Sequence, residues 1–407
     1  AILLIFTFIL QMALPPLYSP LRVAMMGFQT IALLGGSPIE VYSPGTFVYK
    51  EVEGVQWKVD ALIPVQRSVS VHVLSIGGGE WKLDAVDNVD FLALRLLPLF
   101  PFRRRLTRTL YNPEDALDAG FIILSADYRL LSPTNGHAVV EDVKALFSWI
   151  ALKLNEQLSE FYGDGVRANT SQIVAAGPSA GAYVSFLAGM HAEPKPKAVA
   201  ALYGPVGALT SHWLIKKTVS LSASPTLRLL DKTPILQEPF FGTPSHMFPL
   251  YPDSSRFNYL LHAPHSTPPI LETQIDPALD TRVEYIAWLM QDASFYDILL
   301  GKWGIGKKLR GMDRAEWEGD MGEKERELLP ILGADSTFPP TFFAHGSVDQ
   351  ICLVEEAHMF EDGLKKLGVE TQFVEVPGVG HSFDYEPGFD PMILRDVVPF
   401  LLKWARK

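Results

Sequence analysis

Ile173-Val-Ala-Ala-Gly177-Pro178-Ser179-Ala180-Gly181-Ala182 decides the fold. Four apolar residues with strand-forming character run into a Gly-x-Ser-x-Gly turn, and residues suited to a helix follow through His191. A serine at such a turn sits between a strand and a helix, on a backbone too tight for large neighbours. Glycine on either side lets the turn close and lets the helix come near the strand. The hydroxyl is thereby aimed outward at the strand's carboxyl end, and the Ala180 N–H, at the start of the helix, is free to donate to an oxyanion. An ordinary strand-to-helix turn would show the same small residues; the apolar strand before Gly177 and the helix formers after it favour a nucleophile. Pro178 is unusual beside a central strand because it brings no N–H to the ladder, a small cost where the chain is leaving the sheet.

Outward from this turn, strands and helices alternate. Val71–Ile76, Phe121–Ala126, Ile173–Ala176, Val199–Tyr203, Thr341–Ala344 and Gln372–Val376 read as strands. Apolar spacing predicts helices over Val139–Phe161, Ala180–His191, Val354–Leu367 and Met392–Trp404. Before them, Phe47–Val52 and Val55–Ile63 alternate apolar and polar residues about Gly54, as an antiparallel hairpin with one covered face does. The pattern predicts an α/β protein: a mostly parallel central sheet flanked by helices, with 1–407 as a single domain. Residues 205–335 break the rhythm with prolines and scattered aromatics, Trp213, Phe241, Phe248 and Tyr251 among them, and a helix-like piece at Thr281–Met290. This stretch is expected to be a helical lid inserted into the domain.

In parallel sheets, ligands gather beyond the carboxyl ends of the strands. Two further residues fall there. Asp349 follows the strand from Thr341, in His345-Gly-Ser-Val-Asp-Gln, and His381 follows the strand from Gln372, in Pro377-Gly-Val-Gly-His-Ser-Phe. Asp335 precedes its strand and so lies at the wrong edge. Ser179, Asp349 and His381 are therefore the candidate nucleophile, acid and base, in the chain order Ser, Asp, His. His381 would take the Ser179 proton and Asp349 would hold the imidazole's tautomer. Gly77-Gly78-Gly79 lets backbone N–H groups approach a substrate closely; no Gly-Lys-Ser/Thr follows, which argues against a phosphate loop.

These residues resemble the hormone-sensitive-lipase branch of the α/β-hydrolases, a group of esterases and lipases, from about Val71 to the C-terminus outside the lid. The glycine triplet looks like that group's H-G-G-G loop. Asp127-Tyr-Arg-Leu130 with Pro133 and Glu141-Asp-Val143 looks like its D-Y-R-L segment and next helix, and Gly177-Pro-Ser-Ala-Gly181 like its G-D-S-A-G elbow. The resemblance implies the α/β-hydrolase fold, Gly78 and Gly79 as oxyanion donors beside Ala180, and structural roles for Tyr128 and Arg129. Ile76 replaces the loop's histidine and Pro178 the elbow's aspartate.

The remaining sequence limits the function classes. The 407 residues, 48% apolar and 20% charged, are enough for a large core. A net charge of −11 makes nucleic acid an unfavourable partner. One cysteine, Cys352, forbids an internal disulfide, fits a cytoplasmic setting and reads as a small core residue. His262 and His265 lie in a proline-rich stretch without a zinc pattern, and neither a metal nor another cofactor is called for. Residues 1–10 are apolar but shorter than the roughly 20 residues that span a bilayer. Residues 1–40 are read as an apolar segment packing on the cap, with a signal or anchor remnant as the rival; the lack of an initiator Met points to a trimmed chain. The expected partner is a small apolar ester or lactone, cleaved through an acyl-enzyme. Acyl transfer or cyclisation on the same residues, a non-catalytic receptor, secretion or membrane association, and a homodimer stay open.

Overall fold

The computed structural model describes residues 45–52, 55–64, 71–77, 113–129, 131, 134–215, 289–290, 293–310, 312–385 and 389–407. Eight strands form one sheet in the order β1-β2-β4-β3-β5-β6-β7-β8. They are β1 Gly45–Val52, β2 Val55–Leu62, β3 Val71–Gly77, β4 Phe121–Ala126, β5 Ala168–Pro178, β6 Val199–Leu202, β7 Thr341–Gly346 and β8 Thr371–Val376. β2 runs antiparallel to both β1 and β4; β3 to β8 are mutually parallel. Helices α1 Pro113–Asp118, α2 Gly136–Leu152, α3 Leu154–Tyr162, α4 Ala180–His191, α11 Val354–Lys366 and α12 Val397–Ala405 accompany them. Between β6 and β7 come α5 Ser211–Leu214, α6 Phe295–Leu300, α7 Ile305–Leu309, α8 Arg314–Asp320, α9 Glu323–Arg326 and α10 Pro330–Gly333. This is the α/β-hydrolase fold.

The alternation of side chains along each strand divides the core into two layers. Ile122 and Leu124 of β4, Ile173 and Ala175 of β5 and Phe343 of β7 face one layer, with Phe147 of α2, Phe186 of α4 and Phe360 of α11. Their neighbours Phe121, Ile123, Val174, Ala176 and Phe342 face the other, with Ala116 of α1 and Phe400 of α12. Burial on both faces explains why the parallel strands read as unbroken apolar runs. The hairpin buries only one face, that of Phe47, Tyr49, Trp57, Val59 and Ala61, which is why it alternates. Arg129 and Asp142 pin the end of β4 to α2: the Arg129 backbone N–H donates to Asp142 Oδ2 at 2.8 Å and its Nε to both carboxylate oxygens at 3.0 Å. Lys50 adds a third donor at 2.6 Å.

Three sequence expectations change. The helix expected over Val139–Phe161 is two helices, broken at Lys153. Asn155 causes the turn to be worthwhile: its side chain accepts from Ala168 N at 2.7 Å and donates to Ala168 O at 3.0 Å, a backbone-like pair that fastens α3 to the start of β5. The final helix is likewise divided, into a 3₁₀ turn at Pro391–Leu394 and α12. β5 begins five residues before Ile173 and runs through Pro178. Alternate N–H groups of β5 point to opposite neighbours: Ala175 N and Ser179 N both bond toward β6, to Ala198 O and Leu202 O. The nitrogen of Pro178 therefore faces β3, where pairing has ended at Ile76 with Ala176, and proline forfeits no ladder bond.

The described parts of 205–335 share the first core layer through Trp213, Phe295, Tyr296, Leu328 and Leu329. They bond to the body as well: Tyr183 of α4 donates to Leu328 O at 2.8 Å, and His191 Nε2, at the end of α4, lies 2.7 Å from Glu327 O. Of the helix expected over Thr281–Met290, residues 281–288 lie outside the described residues, as do Phe241, Phe248, Tyr251, His262, His265 and residues 1–40. Among the described residues no helix is long and apolar enough to cross a membrane.

Candidate active site

Ser179 ends β5 and caps α4 with φ 49° and ψ −119°. This left-handed conformation is costly for a residue with a Cβ, and costs of about 1–3 kcal/mol persist only where the surroundings enforce them. The surroundings here are the Ser179 N bond to β6 at 2.8 Å and the return of Ala182 N and Tyr183 N onto Ser179 O. Gly177 makes the turn possible: a Cβ there would sit 2.4 Å from the Gly181 carbonyl carbon. Gly177→Ala is therefore expected to destabilise the protein by about 1–3 kcal/mol or more, read as a lowered midpoint in urea denaturation. The obstacle is backbone, which has no rotamer to yield.

His381 and Asp349 arrive on two loops that are stitched together. Val348 N donates to Val379 O at 3.1 Å, Gly378 N to Ser347 Oγ at 2.8 Å, and Ser347 N to Val376 O at 2.9 Å. Gly346 allows the histidine loop to lie against the end of β7, since a Cβ there would meet Val379 O at 2.4 Å. The structure brings the three residues singled out in the sequence into one chain of hydrogen bonds. Ser179 Oγ is 2.9 Å from His381 Nε2, and His381 Nδ1 is 2.8 Å from Asp349 Oδ2. A carboxylate only accepts, so Nδ1 carries the proton and Nε2 presents its lone pair to the serine hydroxyl.

Asp349 is 4% exposed and saturated with donors. Oδ1 accepts from Ile351 N at 2.8 Å and Cys352 N at 3.1 Å. Oδ2 accepts from His381 and faces His345 Nε2 at 3.2 Å. Burial alone would raise the carboxyl's pKa; the hydrogen bonds from His345 and His381 outweigh it and hold Asp349 well below the ordinary carboxylate range. Asp349 is thus an anion at neutral pH despite its burial, the state in which it stabilises an imidazolium. Tyr203, at the end of β6 with φ 40°, packs edge-on against the His381 ring at 4.9 Å between centroids and donates to Asp384 Oδ1 at 2.6 Å. Its ring limits the tilt of the imidazole.

Ala180 is the first residue of α4, so its N–H has no acceptor within the helix and stands beside Ser179. Gly78 and Gly79, the other expected oxyanion donors, lie outside the described residues. Reading the sequence missed His345, Tyr203 and Asp384. His345 had a local signal, four residues before the acid; Tyr203 and Asp384, 181 residues apart, had none.

No protein-family model matches the chain. It is 24% identical to the non-reducing polyketide synthase Preu6 of Preussia isomera over 84% of this chain and 14% of that protein. It is 25% identical to the non-reducing polyketide synthase adrD of Penicillium rubens over 87% of this chain and 13% of that protein. The chain thus spans about one seventh of the length of the curated relatives it matches. Among solved structures it is similar to the carboxylesterase EstE1 from a metagenomic library, at 14% identity and a TM-score of 0.47 over 97% of this chain and 98% of that one. It is also similar to the esterase Est2 of Thermogutta terrifontis, at 15% identity and a TM-score of 0.46 over 92% and 94%.

Proposed function

We propose that this chain is a serine hydrolase that cleaves a carboxylic ester or lactone through an acyl-enzyme on Ser179. The observation that carries this reading is the unbroken relay from the Ser179 hydroxyl through His381 to a buried, fully solvated-by-protein Asp349 carboxylate. Ser179 Oγ attacks the acyl carbon while its proton passes to His381 Nε2. The oxyanion that develops is met by the Ala180 N–H, joined by Gly78 and Gly79. His381 then returns the proton to the leaving oxygen, the acyl group stays on Ser179, and water activated by the same imidazole releases the acid. The 205–335 stretch acts as the lid that keeps an apolar substrate from bulk water. The D-Y-R-L segment, with Arg129 held on Asp142, supports placing the chain near the hormone-sensitive-lipase branch.

A second reading keeps the acyl-enzyme and changes what removes the acyl group. It draws support from the polyketide synthases that match most of this chain. In it, another hydroxyl or a carbon nucleophile of the acyl chain itself replaces water, giving transfer or cyclisation. One experiment tests both. The protein is treated with a fluorophosphonate, its intact mass is measured, and turnover of p-nitrophenyl acetate and butyrate is followed. One adduct per chain with steady p-nitrophenol release is expected. An adduct with a single burst and no turnover favours transfer or cyclisation. No adduct sinks the acyl-enzyme reading in either form.

A further inference from the structure

We propose that His345 is a positioning residue of this site, donating its Nε2–H to the same Asp349 oxygen that receives His381 and so setting how strongly Asp349 holds the His381 imidazole. The inference rests on the acyl-enzyme reading and goes beyond it. His345 is 2% exposed at the end of β7. Its Nε2 faces two oxygens, Cys352 O at 2.8 Å and Asp349 Oδ2 at 3.2 Å. Both can only accept, so Nε2 carries a proton, bonded to Cys352 O and within reach of Asp349 Oδ2. This one N–H does two things. It ties the carbonyl of Cys352 to the carboxylate whose other oxygen accepts the Cys352 N–H, closing the turn 349–352 around the charge. It also withdraws electron density from Oδ2.

That second effect has a sign. A carboxylate oxygen relieved of part of its charge is a weaker partner for an imidazolium, so the His345 N–H weakens the hold of Asp349 on the His381 N–H. Without the His345 N–H, Oδ2 belongs to His381 alone. The imidazolium is then better stabilised, and the fraction of His381 able to accept the Ser179 proton falls at mildly acidic pH. Among the described residues, the titratable groups facing the relay are His345 from β7, Asp349 and His381 on the stitched loops, and Tyr203, just past β6, with Asp384 behind it. A merely structural His345 would brace the turn without moving this titration.

The test is the second-order rate of fluorophosphonate labelling at Ser179 as a function of pH. It is measured by intact mass on the full chain for wild type, His345→Phe, His345→Asn and His345→Gln, with denaturation curves to confirm folding. Phenylalanine keeps the ring volume and removes the donor. Asparagine keeps polarity, but its amide stops at the position of Nδ1, short of Asp349. Glutamine places an amide N–H where Nε2 stood. His345→Phe and His345→Asn are expected to move the acid limb of the labelling profile up by about half a unit to one unit, and His345→Gln to restore the wild-type limb. If the folded Phe and Asn variants keep the wild-type acid limb, the proposal is overturned whatever their plateau rates. If wild type takes no label at all, the acyl-enzyme reading has failed and this inference falls with it.

Discussion

Ser179→Ala is expected to abolish fluorophosphonate labelling and to lower ester turnover by roughly six orders of magnitude, while leaving the fold intact. The magnitude follows from how such groups work together. Once the nucleophile is gone, His381 and Asp349 have nothing to activate, and the loss approaches that of the whole relay. What persists is the residual stabilisation of an oxyanion by Ala180 and its partners, worth about 10³–10⁴ over water. The fold should survive because alanine keeps the Cβ already accommodated at φ 49°. The bonds that hold the turn use the backbone N and O of residue 179, not its hydroxyl. The measurement is initial-rate turnover of p-nitrophenyl butyrate beside urea denaturation. A variant that retains wild-type turnover would show that another residue carries the chemistry.

Asp349→Asn is expected to cost about 10⁴ in turnover through the tautomer of His381. The side-chain amide has only one orientation open to it. Ile351 N and Cys352 N both donate to the Oδ1 position, so the amide oxygen must sit there. Its NH₂ then occupies the place of Oδ2. That group donates to His381 Nδ1, forcing the imidazole's proton onto Nε2, where it faces the Ser179 hydroxyl and can accept nothing. The same NH₂ also opposes the His345 Nε2–H at 3.2 Å, two donors with no acceptor between them. The variant should therefore lose stability as well as activity, by about 1–3 kcal/mol for the buried mismatch. Steady-state kinetics and urea denaturation on one preparation check both; full turnover in a folded variant would mean that the carboxylate does not set the imidazole's tautomer.

Much of this site is visible in the sequence because its members lie where strands stop. The apolar run into Gly177, the alternation of β and α patterns, and Asp349 and His381 beyond two late strands are local features. Each is decided by residues within about ten positions, where propensity and periodicity act. The hairpin at 45–62 was legible for the same reason. The break at Lys153 was not: apolar spacing continues across it, and the competing pull comes from Asn155 bonding to Ala168, thirteen residues on. Pro178 read from the sequence as unusual, at a small cost where the chain leaves the sheet. Only the register with β3, ending at Ala176, shows that its missing N–H faces no acceptor in the ladder.

By itself, the sequence determined the strand-to-helix elbow at Ser179, the two-sided burial of the parallel strands and the order of the three polar residues. Those depend on side-chain period and on glycine at a tight turn, which are properties of the chain in short stretches. Tertiary structure alone decided that the His381 imidazole reaches Oδ2 of Asp349, that Tyr203 backs the His381 ring, and that Asp349 stays ionised while buried. These depend on distances of a few ångströms between segments as far as 200 residues apart, set by the packing of a whole sheet. No local pattern encodes them, because a hydrogen bond registers geometry and not sequence separation.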